Sequence, residues 1–387
     1  MSEIAEDRAR RPSRHAALLL AAATTVVTVL AVAGAEMGAR WLAPDYLVEK
    51  RGLHVFSATL GWKPRAGAST LLEGKRVSIN ARGYRGRELS LPRSGERTRV
   101  VVLGDSIAFG LGVSDGETFA DRLDERNNGI EAANLAVQGY GPGQELLVLL
   151  GEGLRQDPDV VVLAFCLDND FADAVLPFAL YGGRTPKPRF RLDGDRLVLD
   201  TSSLGPTAPQ RVAQWLSDYS YLFNRLSALG PQVEASGGPH WTTLKHEALR
   251  DDEYALRLCL AIVRRMDTVC RERGIAFVVA AFPHWYTYRS KGWLPEHFLE
   301  SLRAEGIAVL DMSEGFKARG QRFWDVALDL GGHLSPRGHA IAAEELEAAI
   351  AALPGRSAAA SNPPDDRAPS FSGRTAPRSP RSGAGAP

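Results

Sequence analysis

Arg99-Val100-Val101-Val102-Leu103 runs directly into Gly104-Asp105-Ser106. A short run this apolar and this rich in β-branched side chains has the pattern of a strand buried on both faces. Ending it in Gly-Asp-Ser sets a hydroxyl at the carboxyl rim of a sheet, the edge where open α/β sheets bind their ligands. The turn is not a GxSxG elbow, because Ala108 stands where the last glycine belongs.

Four more runs of this kind follow, at 132–137, 160–165, 275–282 and 307–311. Helical patterns separate them at 118–126, 143–155, 246–273 and 296–305. The longest puts Ala255, Leu258, Ile262, Met266 and Val269 on one stripe, with Arg257, Arg264 and Arg271 turned elsewhere. A last helix is expected over 336–353, capped by Ser335 with Pro336 in its first turn. Such alternation predicts a three-layer α/β/α domain over 97–353 around a five-stranded parallel sheet.

One insertion, 174–245, interrupts the alternation. It holds Arg191-Leu-Asp-Gly-Asp-Arg-Leu-Val-Leu199, expected to be a hairpin turning near Asp193-Gly194, and then a helical stretch over 210–229. Because it leaves the sheet just after Asn169-Asp170, it is placed to cover the carboxyl face. Residues 36–96 are polar, basic and rich in Gly and Pro, with a strand-like piece at 76–80. They read as a lead-in that packs on the main domain. Residues 354–387 are Pro, Ser, Ala, Gly and Arg, too poor in apolar side chains to pack, and are expected to be disordered.

Residues 1–15 carry Arg8, Arg10, Arg11 and Arg14, and residues 16–35 carry no charge. At helical rise that uncharged run reaches about 30 Å, the thickness of a hydrocarbon core. It reads as a transmembrane signal anchor with its N-terminus in the cytoplasm and the following domain outside. A cleavable signal peptide competes, since Ala33-Gly34-Ala35 has the form of a cleavage site. Both readings place the domain outside the cytoplasm.

The 46 basic and 46 acidic residues balance, which argues against nucleic acid as a partner. No zinc-finger spacing, P-loop or HExxH is present, and the eight histidines are scattered, so neither metal nor cofactor is expected. Cys166 falls in an apolar strand. Cys259 and Cys270 would lie about 16 Å apart along one helix, beyond disulfide reach.

A serine nucleophile needs a base at hydrogen-bond distance and donors for the developing oxyanion. After the second strand comes Asn134-Leu-Ala-Val-Gln-Gly139-Tyr-Gly141-Pro-Gly143, whose bare backbone can offer an N–H. After the third comes Leu167-Asp168-Asn169-Asp170, where the Asn169 amide is a second candidate. The base candidate is His333, in Asp329-Leu-Gly-Gly-His333 just before the last helix. Asp329 is placed to orient the imidazole, with Asp325 as the alternative acid. His339 falls inside the helix and reads as structural.

Gly-Asp-Ser106, Gly139, Asn169 and Asp329…His333, in that order, resemble the four blocks of the SGNH (GDSL) hydrolase superfamily. The segment Leu60-Gly-Trp-Lys-Pro64, followed by Asn80-Ala-Arg-Gly-Tyr-Arg-Gly86, also resembles its membrane-anchored bacterial members. The resemblance implies a flavodoxin-like fold with Ser106 as nucleophile and His333 as base, partnered by Asp329. It also implies an oxyanion hole made by the Ser106 and Gly139 N–H groups and the Asn169 amide. Block one here reads Gly-Asp-Ser-Ile, and Asp329 stands four residues before His333, where the family's acid stands two or three before.

The expected activity is that of an extracytoplasmic esterase or deacylase acting on short acyl esters through an acyl-serine. One alternative is an O-acyltransferase that modifies a cell-envelope polysaccharide. Another is a non-catalytic glycan-binding module, with Trp62, Trp215, Trp241, Trp285 and Trp293 as stacking surface. His240, Trp241, His284, Trp285 and Tyr286 are candidate pocket liners for an acyl-ester or O-acylated glycan substrate.

Overall fold

The computed structural model describes residues 14–42 and 53–353, apart from 94, 126–128, 181–184 and parts of 206–238. Expectations for residues 1–13, for the tail 354–387 and for half of 210–229 lie outside the described residues; 211–212, 215–216 and 221–223 are helical, as expected.

Five strands form one parallel sheet: β1 (Thr98–Gly104), β2 (Ile130–Asn134), β3 (Val160–Cys166), β4 (Ala276–Phe282) and β5 (Ala308–Asp311). Their order across the sheet is β5-β4-β3-β1-β2. The chain therefore reverses direction between β1 and β3, and a crevice opens there outside the carboxyl ends.

Alternate residues feed two separate cores. Val100, Val102, Val162, Ala164, Val278 and Ala280 pack with Phe109, Phe119, Ala342 and Leu346 on one face. Val101, Leu103, Val161, Leu163, Phe165, Val279 and Ala281 pack with Leu258, Ile262, Met266 and Leu299 on the other. Period-two alternation with both faces covered explains the uninterrupted apolar runs. Each such Val or Leu contributes about 1.5–3 kcal/mol on burial. The helices making the outer layers include α1 (Ser106–Phe109), α2 (Phe119–Glu125), α3 (Pro142–Val148), α4 (Asp170–Val175), α5 (Asp252–Arg271), α6 (Trp293–Ala304), α7 (Met312–Ala318) and α8 (Pro336–Ala351). This is the expected three-layer α/β/α arrangement.

Several boundaries differ from expectation, each for a local reason. The long helix expected over 246–273 is split into Pro239–Ala248 and α5, because the Asp251 carboxylate accepts from Tyr254 N at 2.8 Å and caps a new helix. β2 begins and ends earlier than 132–137. Asn134 turns its side chain onto Ala108 O and Ala136 N, which ends the regular ladder. Even so, Leu135 N and Val137 N still donate to Val102 O and Gly104 O. The helix expected over 143–155 widens after Val148 into a π-turn and then a 3₁₀ turn. α8 starts as expected, with Ser335 Oγ accepting from Gly338 N at 3.2 Å.

The lead-in forms two antiparallel hairpins, His54–Ser57 with Gly61–Pro64 and Ser69–Leu72 with Lys75–Ser78. The hairpin expected in the insertion pairs Arg189–Asp193 with Arg196–Asp200. The N-terminal helix, Arg14–Leu42, is long and apolar enough to cross a membrane, a test that a signal sequence also passes, and none of its residues is buried. Just past its uncharged stretch, the Glu36 carboxylate accepts from Tyr221 N and Leu222 N, both at 2.9 Å.

Candidate active site

Gly104 leaves β1 at φ +154°, and a Cβ there would meet Ala108 Cβ at 2.9 Å and Ala164 O at 3.0 Å. Only glycine lets the chain turn this tightly between α1 and β3. Asp105 then caps α1 by accepting from Ile107 N at 2.8 Å. Ser106, the first residue of that helix, is left at the sheet rim.

Ser106 Oγ lies 2.8 Å from His333 Nε2. The other ring nitrogen, Nδ1, lies 2.6 Å from Asp329 Oδ2. The histidine is presented by a closed loop. Leu328 N donates to His333 O, Ser335 N donates to Val326 O, and Trp285 N reaches across to Leu330 O. The Trp285 ring packs against Phe323 and Trp324 beneath that loop. Burial alone disfavours the imidazolium. The hydrogen bond and charge of Asp329, with Asp105 and Glu73 beyond, outweigh it and hold the His333 pKa above the ordinary 6.5. Asp325, the alternative acid, pairs instead with Arg322. His339 is fully buried inside α8. Its Nδ1 accepts from Phe119 N, and burial drives its pKa down to about 3, as suits a structural residue.

Gly139, in the loop after β2, lies in the left-handed region, φ +74°. Among the described residues no protein acceptor takes the Gly139 N–H or the Ser106 N–H. Each is a half-buried donor without a partner, the kind of group a developing negative charge requires. The loop is held by the lead-in. Trp62 Nε1 donates to Gln138 O at 3.0 Å, Tyr140 OH donates to Trp62 O at 2.5 Å, and Gln144 Nε2 donates to Leu60 O at 2.7 Å. Trp62 is thus buried against Tyr140, edge to face, and offers no stacking surface to the glycan-binding alternative.

Asn169 stands just before α4, its side chain making no capping bond to that helix, and is 8% exposed. Its amide nitrogen lies 3.1 Å from Asp105 Oδ2, 3.3 Å from Asp170 Oδ1 and 3.2 Å from Asp173 Oδ2. Both amide hydrogens are therefore directed at carboxylates, and serving an oxyanion means redirecting one of them.

Of the other pocket-liner candidates, His284 is buried as a cap. Its Nδ1 accepts from Tyr286 N, and burial lowers its pKa. Tyr286 stacks on it and is exposed, as is Trp293 beside His297. Trp215 is exposed within the insertion. The side chains of His240 and Trp241 lie outside those described. Arg85, from the Asn80–Gly86 segment, is fully buried and donates to Phe109 O, Gly110 O and Val113 O at 2.8, 2.6 and 2.7 Å. It clamps the chain leaving α1. The three cysteines are buried and free. Among the described residues no group of three His, Cys, Asp or Glu side chains is arranged to hold a metal ion.

A doubly wound sheet with a serine, a histidine and an aspartate in line at its carboxyl edge is the frame of an ester hydrolase. The chain belongs to the GDSL-like lipase/acylhydrolase family, whose model matches residues 102–341, and it is thereby an ester-bond hydrolase of the SGNH type. No curated protein sequence matches it. Among solved structures it is similar to a lipolytic protein of the G-D-S-L family from Veillonella parvula, with 11% identity, covering 66% of this chain and 100% of that one, TM-score 0.38. It is also similar to an acetylxylan esterase from Geobacillus stearothermophilus, with 14% identity, 66% and 95% coverage, TM-score 0.37. A GDSL-like lipase from Bacteroides thetaiotaomicron gives 12% identity, 68% and 93% coverage, TM-score 0.36.

Proposed function

We propose that the chain is a membrane-tethered esterase, its domain outside the cytoplasm, that hydrolyses short acyl esters through an acyl-serine. One observation carries the mechanism: Ser106 Oγ at 2.8 Å from His333 Nε2, with Asp329 at the opposite ring nitrogen. His333 takes the Ser106 proton as Oγ attacks the ester carbonyl. The Ser106 and Gly139 N–H groups receive the oxyanion, joined by the Asn169 amide as it swings from its carboxylates. Collapse expels the alcohol, which leaves with the proton held on Nε2. Water, deprotonated by the same nitrogen, then attacks the acyl carbon and releases the acid, restoring Ser106. Asp329 keeps Nδ1 protonated and the ring in line throughout. Support for the tether is the uncharged helix after four arginines.

The test compares wild type with Ser106→Ala on p-nitrophenyl acetate and with a fluorophosphonate probe, which labels only an activated serine. Wild type should be labelled at Ser106, and the variant should lose about 10⁴-fold or more in kcat. Equal rates would end this reading. For the tether, separation of membranes from soluble fractions should find the full chain in the membranes.

A further inference from the structure

Beside Ser106 lies a set of buried charges that the acyl-transfer steps above leave unused. Asp105, Glu145, Asp170 and Asp173 are all buried, and neither carboxyl oxygen of Glu145 has a hydrogen-bond partner. Burial raises the pKa of Asp105, Glu145 and Asp170, and repulsion between neighbouring carboxylates adds to it. Three of the four meet at one donor, the Asn169 amide. The cation among them is Lys187. Its Nζ lies 2.8 Å from Asp173 Oδ1, and the two side chains are 2% and 1% exposed.

Lys187 comes from the insertion, in Pro186-Lys-Pro-Arg-Phe, not from the sheet. Its backbone is fixed on several sides. Its N–H donates to Pro177 O at 2.9 Å, and its carbonyl accepts from Ser203 Oγ at 2.7 Å. Gly61 of the lead-in, at φ +85°, presses so close that a Cβ would meet Pro186 O at 2.5 Å. Lysine is almost never fully buried unless it is paired, because the lost hydration of its ammonium must be offset by a partner. Here the partner is also the acceptor for Asn169.

We propose that Lys187 is a positioning residue for acyl transfer at Ser106, setting through the Asp173 carboxylate how loosely the Asn169 amide is held. The proposal rests on the reading that Ser106 is the nucleophile and that Asn169 serves the oxyanion. An amide has two hydrogens, and here three carboxylates compete for them. By drawing charge from Asp173, Lys187 weakens that carboxylate's hold and leaves one hydrogen available to swing toward the substrate. Without the ammonium, Asp173 is a buried carboxylate lacking its cation and keeps the Asn169 hydrogens for itself. The loss falls on the transition state, where the oxyanion forms, and not on substrate binding.

The experiment uses the full chain in detergent micelles, with p-nitrophenyl acetate turnover expressed per serine titrated by fluorophosphonate. Lys187→Met should lower kcat by about 10- to 100-fold, within what a lost oxyanion donor costs, and leave KM within about twofold. The double variant Lys187→Met/Asp173→Asn removes both charges yet keeps an acceptor oxygen for Asn169. It should recover most of the lost kcat. If Lys187→Met merely reduces the titratable fraction, with kcat per titrated serine unchanged, the positioning role is overturned. The same holds if the double variant is no better than the single one. If wild type itself takes no label, the nucleophile reading fails and the positioning role goes with it.

Discussion

The two flanks of Ser106 are built from opposite materials. On one side His333 and Asp329 ride a surface loop, with side chains 21% and 51% exposed and water within reach of the acid. On the other, Asp105, Glu145, Asn169, Asp170, Asp173 and Lys187 are sealed from solvent. The exposed flank holds the groups that would move protons. The buried flank holds charges that, in water, would be worth little to one another but in the interior set fixed dipoles around the pocket. Mobile proton chemistry tolerates solvent, whereas preorganised stabilisation of a developing charge depends on excluding it.

The sharpest way to break that contrast is to delete the proton carrier. His333→Ala should lower kcat by about 10³- to 10⁴-fold, with stability nearly unchanged because the residue sits on a loop. Steady-state turnover beside a thermal melt checks both parts. A loss under tenfold would mean that the exposed flank is not where proton transfer occurs.

The next effect is structural and belongs to the interior. Arg85→Met removes a guanidinium with no exposed side-chain area, leaves the carbonyls of Phe109 and Val113 unpaired, and leaves Gly110 O only its bond from Val113 N. Destabilisation of about 3 kcal/mol or more is expected, read as a shifted urea midpoint. A change below about 0.5 kcal/mol, the size of an ordinary surface substitution, would show that the clamp is dispensable.

Asp329→Asn should cost only about 10- to 100-fold in kcat. The acid is half exposed, so water stands in for part of its role, unlike the roughly 10⁴-fold seen when a buried triad acid is replaced. Its clearer mark is on pH dependence. His333 must be neutral to accept the serine proton, and its pKa lies above 6.5. The rate therefore rises with pH through a midpoint above 6.5 in wild type. Removing Asp329 takes away the bond and charge that raise the pKa and leaves burial, which lowers it, so the midpoint moves toward acid. Profiles of kcat/KM from about pH 5 to about pH 9 decide the matter, and an unmoved midpoint refutes the pairing.

The exposed flank was far more legible in the sequence than the buried one. Strand-forming runs ending in Gly-Asp-Ser, and a histidine before a capped helix, follow from local pattern, so Ser106, His333 and the sheet could be read directly. Nothing local marks Lys187, which lies in a Pro-rich stretch that looks like surface loop. Its burial follows from the lead-in and insertion closing over it from far away in sequence. The same holds for Trp62, whose polar segment does not show what it packs on until Tyr140 is brought against it from far away in sequence. Asn169 could be assigned to the strand end, but the carboxylates around it gather from two places: Asp170 and Asp173 from α4 itself, and Asp105 from the turn after β1, 64 residues away. Helix breaks were hidden for a related reason: Asp251 reads equally well as an exposed helical residue until its side chain folds back as a cap.

The smallest expected effect probes the buried flank through pH. Burial, with Asp105 and Asp173 adding repulsion against the attraction of Lys187, raises the Glu145 pKa well above 4.5. The folded protein thus keeps a proton that the unfolded chain releases once pH passes 4.5. Stability from this group is fully present below that value and declines as pH climbs toward the folded pKa. Glu145→Gln has the same shape and no proton to lose, so it escapes the decline. The variant should match wild type within about 0.5 kcal/mol near pH 4.5 and exceed it by a margin that widens with pH until the folded pKa is passed. Urea midpoints across that range provide the measurement. A gap that stays constant with pH would mean that Glu145 is ionised in the fold, and the buried flank would then carry one more negative charge for Lys187 to balance.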